Sequence, residues 1–279
     1  MKLKKILSLI GVGIFAGALF TGCGEDGRVN QPEDVKIGMI TTLNASEQKV
    51  SEILKKVEEK ANVNISPHRI TFYNNLSNMQ MGLESGSVDE ISTYECVANY
   101  LTAKNPKIKI LNPHYMPLSD SFCFAVRKDD VKLKSDLDKT LAALKKDGTL
   151  NKLVKQYVTD VKAEDPPAVE MPHFDGAETI KVAVTGDLPP LDLVLADGKP
   201  AGFNTALLAE IGKRLNKNVE ILDIDGDARS SALSSGRADV IFWAILPDDD
   251  RPKDFDTPAD SVLSEPYFTD KIVHLSLNK

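Results

Sequence analysis

Apolar residues along this chain fall into two rhythms: short unbroken runs and stripes at helical spacing. The stretch Ser231-Ala-Leu-Ser-Ser-Gly-Arg-Ala-Asp-Val-Ile-Phe-Trp-Ala-Ile245 shows both. It predicts the end of a helix, a stop at Gly236, and a buried strand from Ala238 to Ile245 that carries Trp243 to its far end. Glycine just past a helix supplies the left-handed residue that terminates it. The same pattern stands earlier, Leu83-Glu-Ser-Gly-Ser-Val-Asp-Glu-Ile91 against Leu233-Ser-Ser-Gly-Arg-Ala-Asp-Val-Ile241, with Leu, Ser, Gly, Asp and Ile in register. Two copies of one helix-turn-strand unit predict two similar α/β lobes, and ligands usually bind between lobes.

Taken in order, the pattern predicts strands at Val35–Thr42, Arg69–Tyr73, Val88–Thr93, Lys107–Leu111 and Ser121–Val126. Helices are expected at Glu47–Ala61, Asn74–Glu84 and Glu95–Lys104. Alternation of this kind predicts a mostly parallel sheet covered on both faces. Two helices follow, Ser135–Lys146 and Leu150–Val158, then a proline-rich, apolar-poor stretch, 159–179, that reads as a linker. A second series begins at Ile180, with strands Ile180–Thr185, Val219–Ile224 and Ala238–Ile245 and helices Phe203–Leu215 and Asp227–Ser235. A last strand is expected at Ile272–Leu277.

Composition changes this picture little: 42% hydrophobic and 27% charged residues in 279 suit two globular lobes. A net charge of −7 with no basic stripe argues against a nucleic-acid surface. The first residues alter the address. Met1 to Lys5 is basic, Ile6 to Phe20 is apolar and too short to span a bilayer, and Thr21-Gly22 precedes Cys23. This segment resembles a bacterial lipoprotein signal, which implies cleavage before Cys23, a lipid on its thiol, and a polar tether over residues 23–34. A plain secretory signal is the alternative, and both place the protein outside the cytoplasm. Cys96 and Cys123 read either as a disulfide or as two buried thiols. The scattered histidines give no metal-ligand spacing.

Several motifs together resemble the extracellular solute-binding proteins, family 3, that serve polar amino-acid ABC importers. They are Ile180-Lys-Val-Ala-Val-Thr-Gly-Asp-Leu-Pro-Pro-Leu191, Ala196-Asp-Gly-Lys-Pro-Ala-Gly-Phe203, Leu233 to Ile241, Arg251, and Ser264-Glu-Pro-Tyr-Phe268. Phe124 to Lys128 and Leu141 to Leu153 resemble that family's ending. The resemblance implies a two-lobed α/β fold of the type II periplasmic-binding-protein kind, with the lobes in permuted order. Residues 1–22 would be the signal, 35–126 the second lobe, 127–158 the C-terminal-type helices on the first lobe, 159–179 a join between the usual ends, and 180–279 the first lobe. A fusion of two incomplete copies is the rival account of this order.

In open α/β sheets ligands sit beyond the carboxyl ends of the strands. That rule selects Thr41, Thr42, Asn44, Tyr94, Glu95, Asp187 and Trp243. Trp243 would offer a flat apolar surface with one donor or, alternatively, fill the core. The threonines and Asn44 would bind ligand or merely cap a helix. Arg251 falls where the family's carboxylate-binding arginine falls, and is otherwise part of a solvated loop. The aspartate that usually holds an α-amino group aligns with Tyr94, with Glu95 next to it. The expectation is a lipid-anchored, monomeric, cofactor-free protein that captures a small polar ligand, an amino acid or organic anion, for a membrane ABC permease. A sensing or interaction role is the runner-up. An enzyme would have only Asp187, Glu95 and Asp248 as acid/base candidates.

Overall fold

The computed structural model describes residues 35–41, 68–111, 119–160, 165–246 and 256–278. In the first part, strands β1 (Val35–Ile40), β2 (His68–Tyr73) and β3 (Glu90–Tyr94) pair in parallel, with helices α1 (Leu76–Glu84) and α2 (Glu95–Lys104) between and after them. In the last part, β6 (Thr179–Val184), β10 (Asn218–Asp223) and β11 (Val240–Ile245) repeat this parallel arrangement around α5 (Phe203–Leu215) and the short α6 (Arg229–Ser234). Helices α3 (Val131–Lys146) and α4 (Thr149–Val154) pack on α5 of this second body. The expected helix Glu47–Ala61 lies outside the described residues.

The repeated sequence unit becomes a repeated hydrogen-bond device. Gly86 and Gly236 both sit at φ 74°, where a side chain would be strained, and each ends its helix. The aspartate that follows then locks its strand to a lysine at the start of the neighbouring one. Asp89 N–H donates to Lys36 O at 2.8 Å while its Oδ2 accepts from Lys36 N–H at 2.9 Å. In the second copy, Asp239 N–H donates to Lys181 O at 2.8 Å and its Oδ2 accepts from Lys181 N–H at 3.0 Å. The shared Leu, Gly and Asp therefore encode one local structure twice.

The sheet is not mostly parallel, as the alternation predicts. It runs β10-β6-β11-β5-β13-β3-β1-β2, and β5 (Ser119–Arg127) and β13 (Phe268–Leu277) are antiparallel to their neighbours. Both are longer than expected because each belongs to two bodies. The start of β5 pairs with the start of β13, and its remainder with β11 and with β12 (Ser261–Leu263). The end of β13 pairs with β3 and with β4 (Ile108–Leu111). No βαβ crossover fixes the direction of these strands, so they run between the bodies. The short strands β7 (Asp187–Leu188), β8 (Asp192–Val194) and β9 (Pro200–Ala201) form a small separate sheet that no hydrophobic period announces.

The core follows the strands. Phe122, Phe124, Val126, Val182, Phe242, Phe203, Leu141 and Leu144 are buried in one continuous cluster. Cys96 and Cys123 are free, buried thiols. Burial raises both above the ordinary thiol value, Cys123 to about 12.

Candidate functional site

The site is built where the two bodies face each other, and Trp243 is placed there by an irregularity. Pairing of β11 with β5 shifts register between Ile241 and Ala244, and Trp243 sits in the bulge at φ 66°. That backbone region is sparsely populated by side-chain-bearing residues, and bulges re-aim the side chain they carry. The indole meets Tyr94, at the end of β3 on the other body, edge-on with centroids 5.6 Å apart. Phe122 of β5 contacts both rings, at 4.7 Å from Tyr94 and 6.1 Å from Trp243. Trp243 is only 8% exposed, yet its Nε1 has no hydrogen-bond partner among the described residues.

Behind Trp243 stands Arg229, which the sequence reading did not single out. It is 1% exposed, its Cζ lies 5.5 Å from the indole centroid, and its Nη1 donates to Phe242 O at 2.9 Å. Burial lowers its pKa, and the Asp256 and Asp192 carboxylates oppose that shift. Asp192, itself pushed up by burial, accepts from the Thr185 hydroxyl and the Asn204 amide, both at 3.1 Å. A signal for Arg229 existed: it shares a face with Ala232 and Leu233 at i, i+3 and i+4, and both are buried. Charged residues are rarely buried, so an arginine on that stripe points to the cleft or to a buried ion pair.

Asp187 joins the bodies directly. Its Oδ2 accepts from Ser77 N–H, at the start of α1 on the opposite body, at 3.1 Å. A carboxylate is favoured at that positive helix end. Burial nevertheless dominates and pushes its pKa up to about 6, with Asp192 and Asp223 adding repulsion. Thr41 lies at the same seam. Gly226 N–H donates to Asn74 O at 3.3 Å, and a methyl group on Gly226 would come within 3.3 Å of Thr41 O. The Thr41 hydroxyl is spent on Tyr73 O, at 3.1 Å.

Of the predicted site residues, Tyr94, Trp243, Asp187 and Thr41 thus lie along the seam between the bodies. Glu95 does not turn inward: its side chain is 41% exposed and 3.3 Å from Lys271 Nζ. At the Tyr94 position the hydroxyl instead donates to Asp120 Oδ2 at 3.0 Å, a second buried acid absent from the sequence reading. Asp270 Oδ2 accepts from Cys96 N–H at 3.0 Å and so occupies the start of α2. Thr42, Asn44, Arg251, Asp248 and Cys23 lie outside the described residues. Among the described residues no helix is long and apolar enough to cross a membrane, and no group of three His, Cys, Asp or Glu could hold a metal.

Residues 180–278 match the model of the bacterial extracellular solute-binding proteins, family 3. The match covers about a third of the chain, and over that segment the sequence is similar to the family. Solved structures with a similar outline include a ligand-binding component of an ABC-type import system from Staphylococcus aureus with zinc bound. It is 13% identical with a TM-score of 0.44, and the match covers 87% of this chain and 65% of that one. The alkanesulfonate-binding protein SsuA from Xanthomonas axonopodis pv. citri, bound to MOPS, is 10% identical over 89% of this chain and 66% of its own, at a TM-score of 0.41. A nutrient-binding protein from Burkholderia cenocepacia bound to methionine is 13% identical over 87% and 84%, at 0.39.

Proposed function

We propose that this is a lipid-anchored extracytoplasmic binding protein that captures a small polar solute between its two bodies and delivers it to an ABC permease. The observation that carries the reading is the family 3 match over 180–278, a segment that includes β11, Trp243 and the crossing strand β13. The Thr21-Gly22-Cys23 sequence supports the anchor. Ligand binding would favour closure because the solute touches both bodies only when they meet. The lobe order reads as a circular permutation. What supports it is that the matched lobe comes last, while α3 and α4, from the middle of the chain, pack on its α5. Permutation is tolerated when old termini lie close and new ones fall at the surface.

The test is a thermal-shift screen of amino acids, peptides and organic anions. A ligand that prefers the native state raises the melting temperature. A hit is expected, compaction in solution scattering should accompany it, and Trp243→Ala should abolish both. No shift with any pool would overturn the reading.

One observation favours a second reading, a sensing or interaction role. Asp187 already occupies the start of α1 across the seam, so closure does not depend wholly on a solute. Solute uptake by the cognate permease, measured with and without this protein, separates the two.

A further inference from the structure

Three buried donors at the heart of the seam have no acceptor among the described residues: Arg229 Nε, Arg229 Nη2 and Trp243 Nε1. They belong to two side chains in contact, and both are more than nine-tenths buried. A buried donor left unmade forfeits its full hydration, so three together in one place call for an acceptor. The orientation is informative. Nη1 is held by Phe242 O, which leaves open the Nε/Nη2 edge of the guanidinium. That edge presents two parallel N–H groups, the geometry that grips a carboxylate through two bonds.

The nearby acids do not serve as that acceptor. Asp192 spends its oxygens on Thr185 and Asn204, and Asp256 Oδ2 accepts from Ile245 N–H at 2.8 Å. They act on Arg229 through space and make its burial tolerable.

We infer that the Nε/Nη2 edge of Arg229, with Trp243 Nε1 beside it, is the seat for the carboxylate of a small organic acid or amino acid. The inference rests on the solute-binding reading and moves the anion grip from Arg251 to Arg229. A carboxylate has two in-plane oxygens for the arginine edge and further lone pairs for the indole. A lone neutral carbonyl would leave at least one donor unmade. Because both side chains are buried, the acid enters when the bodies part at the Tyr94–Trp243 contact, and its binding draws them together.

Trp243 is the single tryptophan of the chain, so its emission reports directly on the seat. The probes are a pool of short mono- and dicarboxylates with free amino acids, a pool of the matching primary amides, and a pool of sugars and polyamines. The carboxylate pool is expected to shift the emission saturably, and the amide pool to leave it unchanged. Arg229→Met, which keeps length and apolar packing, should weaken carboxylate binding by roughly tenfold or more, and Arg229→Lys, which keeps charge without the fork, should weaken it measurably. Should Arg229→Met fail to fold, Arg229→Lys decides alone, and unchanged carboxylate affinity in it overturns the assignment. Equal binding of amides, a response confined to sugars or polyamines, or undiminished binding by Arg229→Met overturns the seat while leaving a solute-binding protein. Silence toward every pool removes the solute-binding reading, and the seat with it.

Discussion

Asp187→Asn should make the protein more stable at neutral pH, against the expectation that removing a carboxylate from a helix start is harmful. The carboxyl is raised from 3.8 to about 6, and burial, not its neighbours, is the chief cause. A raised carboxyl means that the folded protein holds a proton the unfolded chain has released. Stability from this group is therefore present at acid pH and is lost as pH rises from about 4 to about 6. The full shift corresponds to about 3 kcal/mol at 1.36 kcal/mol per pKa unit. Solvent reaching this half-buried side chain reduces the expected effect to about 1–2 kcal/mol, which is roughly 2–8 °C in melting temperature for a protein of this size. Asparagine keeps an oxygen to accept from Ser77 N–H, so the bond between the bodies survives while the titration disappears. Melts of wild type and variant across pH 4 to 8 should coincide near pH 4, and the variant's advantage should grow to a plateau above about pH 6.5. Acids that do not interact with Asp187 titrate in both proteins and cancel in the difference, whereas the repulsion from Asp192 and Asp223 is part of what the variant removes. A difference that is flat with pH, or a variant less stable at pH 7, would show that attraction to the α1 dipole outweighs desolvation, and the account of Asp187 would fall.

Other consequences follow from single residues. Gly202→Ala should destabilise severely, by about 3 kcal/mol or more. Its Cβ would stand 2.7 Å from Leu191 O and 2.8 Å from Pro190 O at a φ of 98°; a urea midpoint near wild type would refute this. Cys96 and Cys123 should resist iodoacetamide at pH 8 in the folded protein and react once it is unfolded in guanidinium, because burial holds both as thiols; peptide mass mapping checks it. Asp270→Ala removes the acceptor of Cys96 N–H at the start of α2 and should cost about 1 kcal/mol in a chemical melt.

The elements that sequence could place are those with a long period or a turn signal. The parallel strands β1 to β3, β6, β10 and β11, with the helices α1, α2, α5 and α6, agree with expectation to within a few residues. Asn75, whose Oδ1 accepts from Asn78 N–H at 2.9 Å, caps the start of α1. Direction was less legible. A run such as Ser121 to Val126 is apolar whether its partner is parallel or antiparallel, and only the lack of a helical pattern in the sequence between Leu111 and Ser121 hinted that the alternation had ended. At the site, Trp243 stood out as a lone large aromatic, and its alignment of opposing partners needed a bulge that no residue type announces. The direction of Glu95 could not be read from its place beside Tyr94: Tyr94 closes a strand and Glu95 opens a helix, and the Glu95 carboxylate meets Lys271. Arg229 was overlooked because arginine is usually placed on surfaces, although its spacing to Ala232 and Leu233 carried the opposite message.

The crossing strands explain how a site of this kind could transmit binding to shape. β5 and β13 hold each other through Phe122–Phe268, Ser121–Thr269, Asp120–Asp270 and Ser119–Lys271, and then separate into different bodies. In the proposed closure those four pairs are the connection about which the bodies would turn, and two of their residues, Phe122 and Asp120, contact Tyr94 at the seam. Phe122 stacks on Phe268 at 6.0 Å and meets Tyr94 edge-on at 4.7 Å, while Asp120 accepts from the Tyr94 hydroxyl. A displacement of Tyr94 against Trp243 is therefore applied to the hinge pairs themselves, through packed rings and one hydrogen bond. Interiors packed to crystal density pass on such displacements, because a ring has no empty space into which to yield. Coupling at that point would require no long relay: the same strand that carries Phe122 to the aromatic contact also carries the backbone bonds about which the two bodies would move in the proposed closure.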